Sequence, residues 1–453
     1  MRVTVPDFFD EFQCLAGACP HTCCEKWEVV IDEDTACRYF DAPGTLGDRL
    51  RSALQVDEDG DFCFPLDGGR CPFLDGDNLC EIHKELGKAA TSVTCREHPR
   101  FTEDYGSFRE ITLSASCPAA NALLLGSEAP LTFRAFETEE AENIPGPPQQ
   151  PSETGAVGRG GTRLRPQAGV EANRPAGRHL GEDELAQFSP QGETEQSGLK
   201  VNCPAGAREA PLGDCDDEDE WLAYLLPLRR RLLDILRDRA LSLRRRLGDF
   251  LLLAGEAQLY LEEEREAELP ALAASWTPSE RAEEDGGSLL FPYTLRFLTS
   301  LEVLDPDWPA ILKRAEAAEP GTAPEELLER TAVYFAFRYL LKAVNDGDLL
   351  GRAELCVLAV LVIEKLAAVC EGFPSRPGET VVMGRGGARK RKEETPKDGP
   401  DRSGLCADEG LAEALRRFSC EIEHDEGNLD ALLEAFRREE AFSLRQFLAA
   451  LEG

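Results

Sequence analysis

The chain has 453 residues, with 85 Asp plus Glu against 50 Lys plus Arg, a formal net charge of −35. That balance argues against a duplex-nucleic-acid binder living on phosphate contacts and against an anionic membrane surface as partner. A hydrophobic fraction of 42% leaves room for a sizeable core, and the length suggests two or three domains.

In chain order, residues 1–143 carry a net charge of −16 and mixed character. Met1 to Phe12 has no apolar stretch of the secretory kind. Trp27, Val29 and Ile31 predict a short strand. Leu79–Leu86 and Cys117–Leu125 predict short helices, and the Gly/Asp stretches at 57–61, 67–69 and 75–77 predict turns. So much loop with so few long helices suits a domain organised around a metal, where ligation replaces part of a core. Residues 144–215 (net −2) are Pro/Gln-rich, then Gly-, Arg- and Glu-rich, and read as a disordered polar insert.

Residues 216–373 (net −13) read as a helical domain, with leucines at 225, 228, 232, 236, 243, 247 and 251 at helical spacing. Arg229, Arg230, Arg231, Arg237, Arg244, Arg245 and Arg246 fall between them. They are expected to form a solvated helix face, with an anion site as the alternative. Further helices are predicted over Glu325–Ala343 and Arg352–Val369, broken by Asn345 and Gly347. Residues 374–405 (net +3) form a second, basic insert with Arg389–Lys392 at its centre. Residues 406–453 (net −7) read as two or three helices, interrupted at Gly427, that pack on the helical domain. The fold class expected is α+β, mainly helical: a Cys-rich, metal-organised N-terminal domain followed by an α-helical domain.

The longest purely apolar run, Leu355–Ile363, is too short to span a bilayer and is flanked by Glu354 and Glu364. A cytoplasmic protein without a membrane partner is expected. Sixteen cysteines in such a compartment point to metal or redox chemistry rather than disulfides. The dense run is Cys14-Leu-Ala-Gly-Ala-Cys19-Pro-His-Thr-Cys23-Cys24, followed by Cys71, Cys80, Cys95 and Cys117, most of them beside Pro or a turn. Soft thiolates suit Zn²⁺ or an iron–sulfur cluster. Eight candidate ligands exceed the four that one centre needs. Either two centres exist, or some of the eight are packing or supporting residues. Cys37 and Cys63 are expected in the core. Cys203, Cys215, Cys356, Cys370, Cys406 and Cys420 are expected to pack or lie exposed. His21 and His83 sit among the thiols, His98 lies between Arg96 and Arg100, and Asp32 is a candidate helix cap. His424 beside Glu423 is the best base candidate outside the cysteine region.

Cys71-Pro-Phe-Leu, Leu79-Cys80-Glu-Ile-His83 and Thr94-Cys95-Arg-Glu-His-Pro99-Arg100 resemble a zinc- or iron-chelating domain with a Cys-x-x-Cys-x-x-Cys-Cys-type signature. Phe12-Gln-Cys14, Cys19-Pro-His-Thr-Cys23-Cys24, Trp27-Glu-Val-Val-Ile31-Asp32 and Leu113-Ser-Ala-Ser-Cys117-Pro118 are similar to bacterial flagellin lysine-N-methylases. The Tyr334–Leu341 stretch and Phe418-Ser-Cys-Glu-Ile-Glu423-His424 resemble that family's C-terminal half. The resemblance implies methyl transfer from S-adenosylmethionine to lysines of flagellin, with an iron–sulfur cluster, of the 4Fe–4S kind or replaced by zinc, on the N-terminal cysteines. No Gly-x-Gly-x-x-Gly follows a strand. Cys19 and Cys23 match the first spacing of the Cys-x-x-x-Cys-x-x-Cys run of radical enzymes, but Lys26 occupies the third place. The alternative is a non-catalytic zinc- or iron-binding protein with a helical interaction domain. Lysine attacks a methyl group only as the neutral amine, so carboxylates are expected at the rim of such a site and apolar groups at its centre.

Overall fold

The computed structural model describes residues 1–26, 29–57, 60–138, 216–278, 288–318, 323–370 and 408–452. Both polar inserts, the basic run Arg389–Lys392 and the residue Trp27 lie outside the described residues.

Two sheets form where the sequence suggested one short strand. Strands β1 (Arg2–Pro6), β2 (Val30–Ile31), β3 (Gln55–Val56), β4 (Phe62–Cys63), β5 (Arg100–Asp104), β6 (Phe108–Leu113) and β7 (Phe133–Glu137) follow in chain order. The larger sheet runs β5-β6-β1-β7, with β1 parallel to β6 and antiparallel to β7. Along β1, Val3 and Val5 alternate inward against Arg2 and Thr4, the period-2 signature of a sheet with one buried face. The β5–β6 hairpin closes where Gly106 takes φ +74 and donates its N–H to Asp104 Oδ1 at 3.0 Å. The smaller sheet runs β2-β4-β3.

The rest of the fold is helical. The helix Leu349–Ala367 is the axis: Leu355 through Ile363 are all buried, so no face is left for water. Helices Glu325–Tyr339, Leu243–Glu262, Glu409–Phe418 and Glu426–Arg438 pack round it. Its first turn is fixed by Asp348, whose carboxylate accepts the Gly351 N–H at 3.0 Å. Asp408 caps Glu409–Phe418 and Asp425 caps Glu426–Arg438 in the same way. The C-terminal break therefore comes at Ser419–Glu423, one π-helical turn, and at the Asp425 cap; Gly427 itself lies inside the following helix.

The main hydrophobic core crosses residue 143. Val3, Phe8, Phe12, Ile111, Leu113 and Leu124 belong to the same cluster as the central helix. A second, smaller core joins Val29, Ile31, Tyr39, Leu50, Phe64, Phe73 and Ile82, with Cys71 and Cys80 at its edge. The cysteine-bearing segment between residues 29 and 90 thus has an apolar centre of its own.

The arginines between the leucines do not form the solvated face expected of them. Arg229 grips Glu110 of β6 with two bonds, 2.6 and 2.5 Å. Arg246 reaches Glu329 at 2.6 Å, Arg244 reaches Glu364 at 2.5 Å, and Arg245 reaches Asp249 at 2.9 Å. Arg237 lies over the Phe133 ring and Arg231 donates to the Trp276 carbonyl. Of the seven only Arg230 is exposed. In a chain with so many carboxylates, several of these arginines find partners on distant segments, which helical periodicity cannot reveal.

Candidate functional site

The thiols come to the site on short, separately anchored turns. Ala16–Ala18 forms one 3-10 turn, so that Ala16 N–H donates to Cys14 Sγ at 3.4 Å and Cys19 N–H to the Ala16 carbonyl at 3.0 Å. Gly17 sits against the Asp77 carbonyl, which places this turn on the loop leading to Cys80. The Cys71 N–H donates to the Cys24 carbonyl at 2.8 Å, tying the two segments together. Cys80 caps the helix Glu81–Leu86, accepting from His83 N–H, and Ser92 caps the turn that carries Cys95. Asp32 fixes two elements at once: one oxygen accepts from Thr35 N–H and the other from Val93 N–H, two residues before Cys95. Cys117 opens the helix Pro118–Leu124.

Electrostatics sorts these thiols. Removal from water is the largest reason that Cys71 is pushed up to about 11 and that Cys80 also titrates high, and repulsion from Cys24 adds to both. Burial raises Cys95 most, and repulsion from Cys24, Cys80 and Cys71 adds to it. Burial likewise lifts Cys19 to about 12 and Cys117 to about 11, and both feel Cys14. Cys23 hydrogen-bonds Cys24, which raises the first and lowers the second. Among the described residues no three His, Cys, Asp or Glu side chains converge closely enough to hold a single metal ion. A polynuclear cluster spaces its four thiolates more widely than one tetrahedral ion does, and an all-sulfur donor set suits it.

Beside Cys117 lies a buried polar constellation. Ser114 and Ser116 hydroxyls share a hydrogen bond at 2.7 Å, and Ser116 Oγ lies 2.9 Å from His424 Nε2. The His98 ring meets the His424 ring edge-on at 5.8 Å. Next to it, Glu423 holds Arg338 at 3.0 Å and accepts from Tyr339 Oη at 2.9 Å and from Ser419. Arg338 stacks on Phe101 with 3.7 Å to the ring centre and donates to Tyr334 Oη, which in turn accepts the Ala115 N–H. Burial, then Arg338, pushes His98 down to about 4; burial, then the His98 ring and the guanidinium groups of Arg338 and Arg416, pushes His424 down to about 3. Both imidazoles are therefore neutral at physiological pH, so they present hydrogen-bonding capacity without charge. The π-helical turn Ser419–Glu423 delivers Glu423 and His424 here; such turns frequently sit at functional sites.

The two base candidates thus occupy one buried cluster. Of the thiols, Cys117 is the one adjoining it in sequence. His21 lies 3.7 Å from Glu413, and His83 is exposed on its helix. Spacing along the chain did not reveal Ser114, Ser116, Arg338 or Tyr339 as partners of His424 and Glu423, because the pairs span 84 to 310 residues. Cys420, expected only to pack, accepts from Arg416 at 3.5 Å and acts on Cys117. Cys63 is buried, as expected. Cys203, Cys215 and Cys406 lie outside the described residues.

Three relatives give this geometry a context. The lysine-N-methylases of Salmonella typhimurium and Salmonella choleraesuis are each 32% identical over 134 residues, covering 28% of this chain and 33% of theirs. The flagellar biosynthetic protein FliU of Salmonella muenchen is 32% identical over 131 residues, 28% of this chain and 78% of that protein. The chain therefore spans about a third of the length of the lysine-N-methylases it matches. No family model and no solved structure matches it.

Proposed function

The chain belongs to the family of the flagellar biosynthetic protein FliU, and on that premise we propose that it is a protein-lysine N-methyltransferase. It moves a methyl group from S-adenosylmethionine to lysine ε-amines of flagellin, with an iron–sulfur cluster held by members of the thiol set Cys14, Cys19, Cys23, Cys24, Cys71, Cys80, Cys95 and Cys117, which exceeds the four that one cluster takes. The observation that carries this reading is the 32% identity with lysine-N-methylases over 134 residues. The concentration of eight thiols on anchored turns beside a neutral polar cluster supports it.

The chain's own residues divide the work. The thiols hold the cluster, which when bound supplies one-electron chemistry. His424 is kept uncharged by burial and held on Ser116, so it can offer a hydrogen-bonding partner without raising the pKa of a neighbouring amine. Arg338 neutralises Glu423, so this carboxylate adds little field that would keep a lysine protonated. The acidic exterior draws in a cationic lysine and a sulfonium donor.

The test is direct. Anaerobically purified protein, flagellin and methyl-labelled S-adenosylmethionine are incubated together, and tryptic flagellin is read by mass spectrometry. Labelled methyl-lysine is expected. Absence of label from a preparation with verified iron and sulfide would refute the activity.

A further inference from the structure

Resting on the lysine-methylation reading above, we propose that the substrate protein presents its lysine on an extended segment, which adds as a further strand to the free edge of β5 beside Phe101. The docking surface is the row of backbone groups on Arg100, Thr102 and Asp104.

The register of the sheet leaves that row open. β5 is the outermost strand, and among the described residues no strand lies beyond it. It pairs antiparallel with β6, Phe101 opposite Thr112 and Glu103 opposite Glu110. In such a ladder hydrogen-bonded and non-bonded pairs alternate. The phase is fixed at both ends: Tyr105 N–H donates to the Phe108 carbonyl at 3.0 Å, and Ser114 N–H donates to the Pro99 carbonyl at 2.7 Å. Phe101 and Glu103 therefore spend their backbone groups on β6, and Arg100, Thr102 and Asp104 turn theirs outward. A row of this kind is a template for an extended chain.

The edge also runs along the polar cluster. Phe101 and Glu103 lie on the same face of β5. Arg338 stands 3.7 Å over the centre of the Phe101 ring, the His424 ring lies 6.5 Å from it, and Glu103 pairs with Lys342 at 2.5 Å. Phe101, Glu103 and His424 are half-buried, so the face is not sealed. A residue of the added strand opposite Phe101 points to this face, with its Cβ about 5 Å from that of Phe101. A lysine there lays its four-carbon stem beside the ring and carries its amine toward the His424 imidazole that Ser116 holds. Charge selects the occupant. Residues 1–143 carry a net −16, which attracts a lysine-bearing segment and repels a second copy of this chain. Two copies paired through β5 would also set Glu103 and Asp104 of each against an equally acidic edge.

The experiment separates docking from chemistry. Proline is tolerated where a strand's N–H faces outward, so Thr102→Pro removes one outward donor without taking a bond from β6. With flagellin and methyl-labelled S-adenosylmethionine, Thr102→Pro should raise KM for flagellin by about tenfold while kcat stays within about twofold, and Thr102→Val, which keeps the N–H, should match the parent. Amide exchange with deuterium reads the docking without turnover or substitution. Flagellin added to the full-length parent above its KM should slow exchange at Arg100, Thr102 and Asp104 and leave Leu349–Ala367 unchanged. An unchanged KM in Thr102→Pro with the helical circular dichroism of the parent would overturn the docking and leave methylation standing, and so would the absence of slowing at those three amides. Slow exchange there in the protein alone would also overturn it and assign the edge to another occupant: a second copy where protection grows with protein concentration, a segment of this chain where it does not. Protection by flagellin in a protein that transfers no methyl would overturn the activity and keep the docking.

Discussion

Glu423 is held by three groups at once, Arg338, Tyr339 and Ser419, in a place without access to water. A buried ion pair of this kind contributes less through its attraction than it costs when one partner is removed. Glu423→Gln leaves the Arg338 guanidinium buried without its counter-charge, and a loss of about 3–5 kcal/mol is expected. Urea denaturation followed by circular dichroism measures it, and an unchanged midpoint would refute the role. Glu413 gives a prediction in pH. Burial alone would raise its pKa, but Arg416, His21 and Arg417 hold it at about 2, against 4.5 for an ordinary glutamate. Its folded pKa is depressed, so its contribution is present above 4.5 and is lost as pH falls toward about 2. Glu413→Gln should therefore be less stable than the parent at neutral pH and lose less on acidification. Thermal midpoints taken across that interval read the difference.

At the scale of elements, the central helix carries an opposite pH signature. Glu354 is enclosed within Leu349–Ala367, and burial, with Asp348 second, pushes its carboxyl up to about 9. The unfolded chain releases that proton above 4.5 while the fold retains it. Stability therefore falls as pH rises between those values, by up to about 1.4 kcal/mol per pH unit. Glu354→Gln keeps the shape and removes the titration, so its advantage over the parent should grow from pH 6 to pH 9 in denaturation midpoints; parallel curves would sink the assignment. This helix was legible in the sequence because Leu355–Ile363 is apolar without interruption and Asn345 and Gly347 mark its start. The four-stranded sheet was not. Its strands are five or six residues long, and β1 pairs with partners more than a hundred residues away, so no local pattern specifies the pairing. The candidate site divides in the same way. Its thiols are visible as a run of residue types, whereas the shell round His424 is assembled from β6, the Glu325–Tyr339 helix and the π-helical turn, which only folding brings together.

For the whole molecule, the acid excess has a structural consequence at the junction between the cysteine-bearing turns and the helices. Lys26, two residues beyond Cys24, reaches Asp305 at 2.6 Å, and Arg417 holds the same carboxylate at 2.8 Å. The Asp305 N–H and the Leu304 N–H both donate to Glu421, so the loop carrying Asp305 is pinned to the turn that carries His424. His21 meets Glu413 at the same junction. The small core and the large one are thus joined in part by charges on buried or half-buried groups, which salt screens far less than exposed pairs. Asp305→Asn removes the charge that holds both Lys26 and Arg417. The amides of residues 19–26 should then exchange with deuterium faster, while those of Leu349–Ala367 keep their protection, because the large core does not depend on this pair. Lys26→Asp combined with Asp305→Lys should restore part of the protection, limited by the repulsion that Arg417 then exerts on the new lysine. Uniform acceleration in both regions would mean that Asp305 supports global stability alone, and no acceleration at residues 19–26 would mean that the turns are held without it.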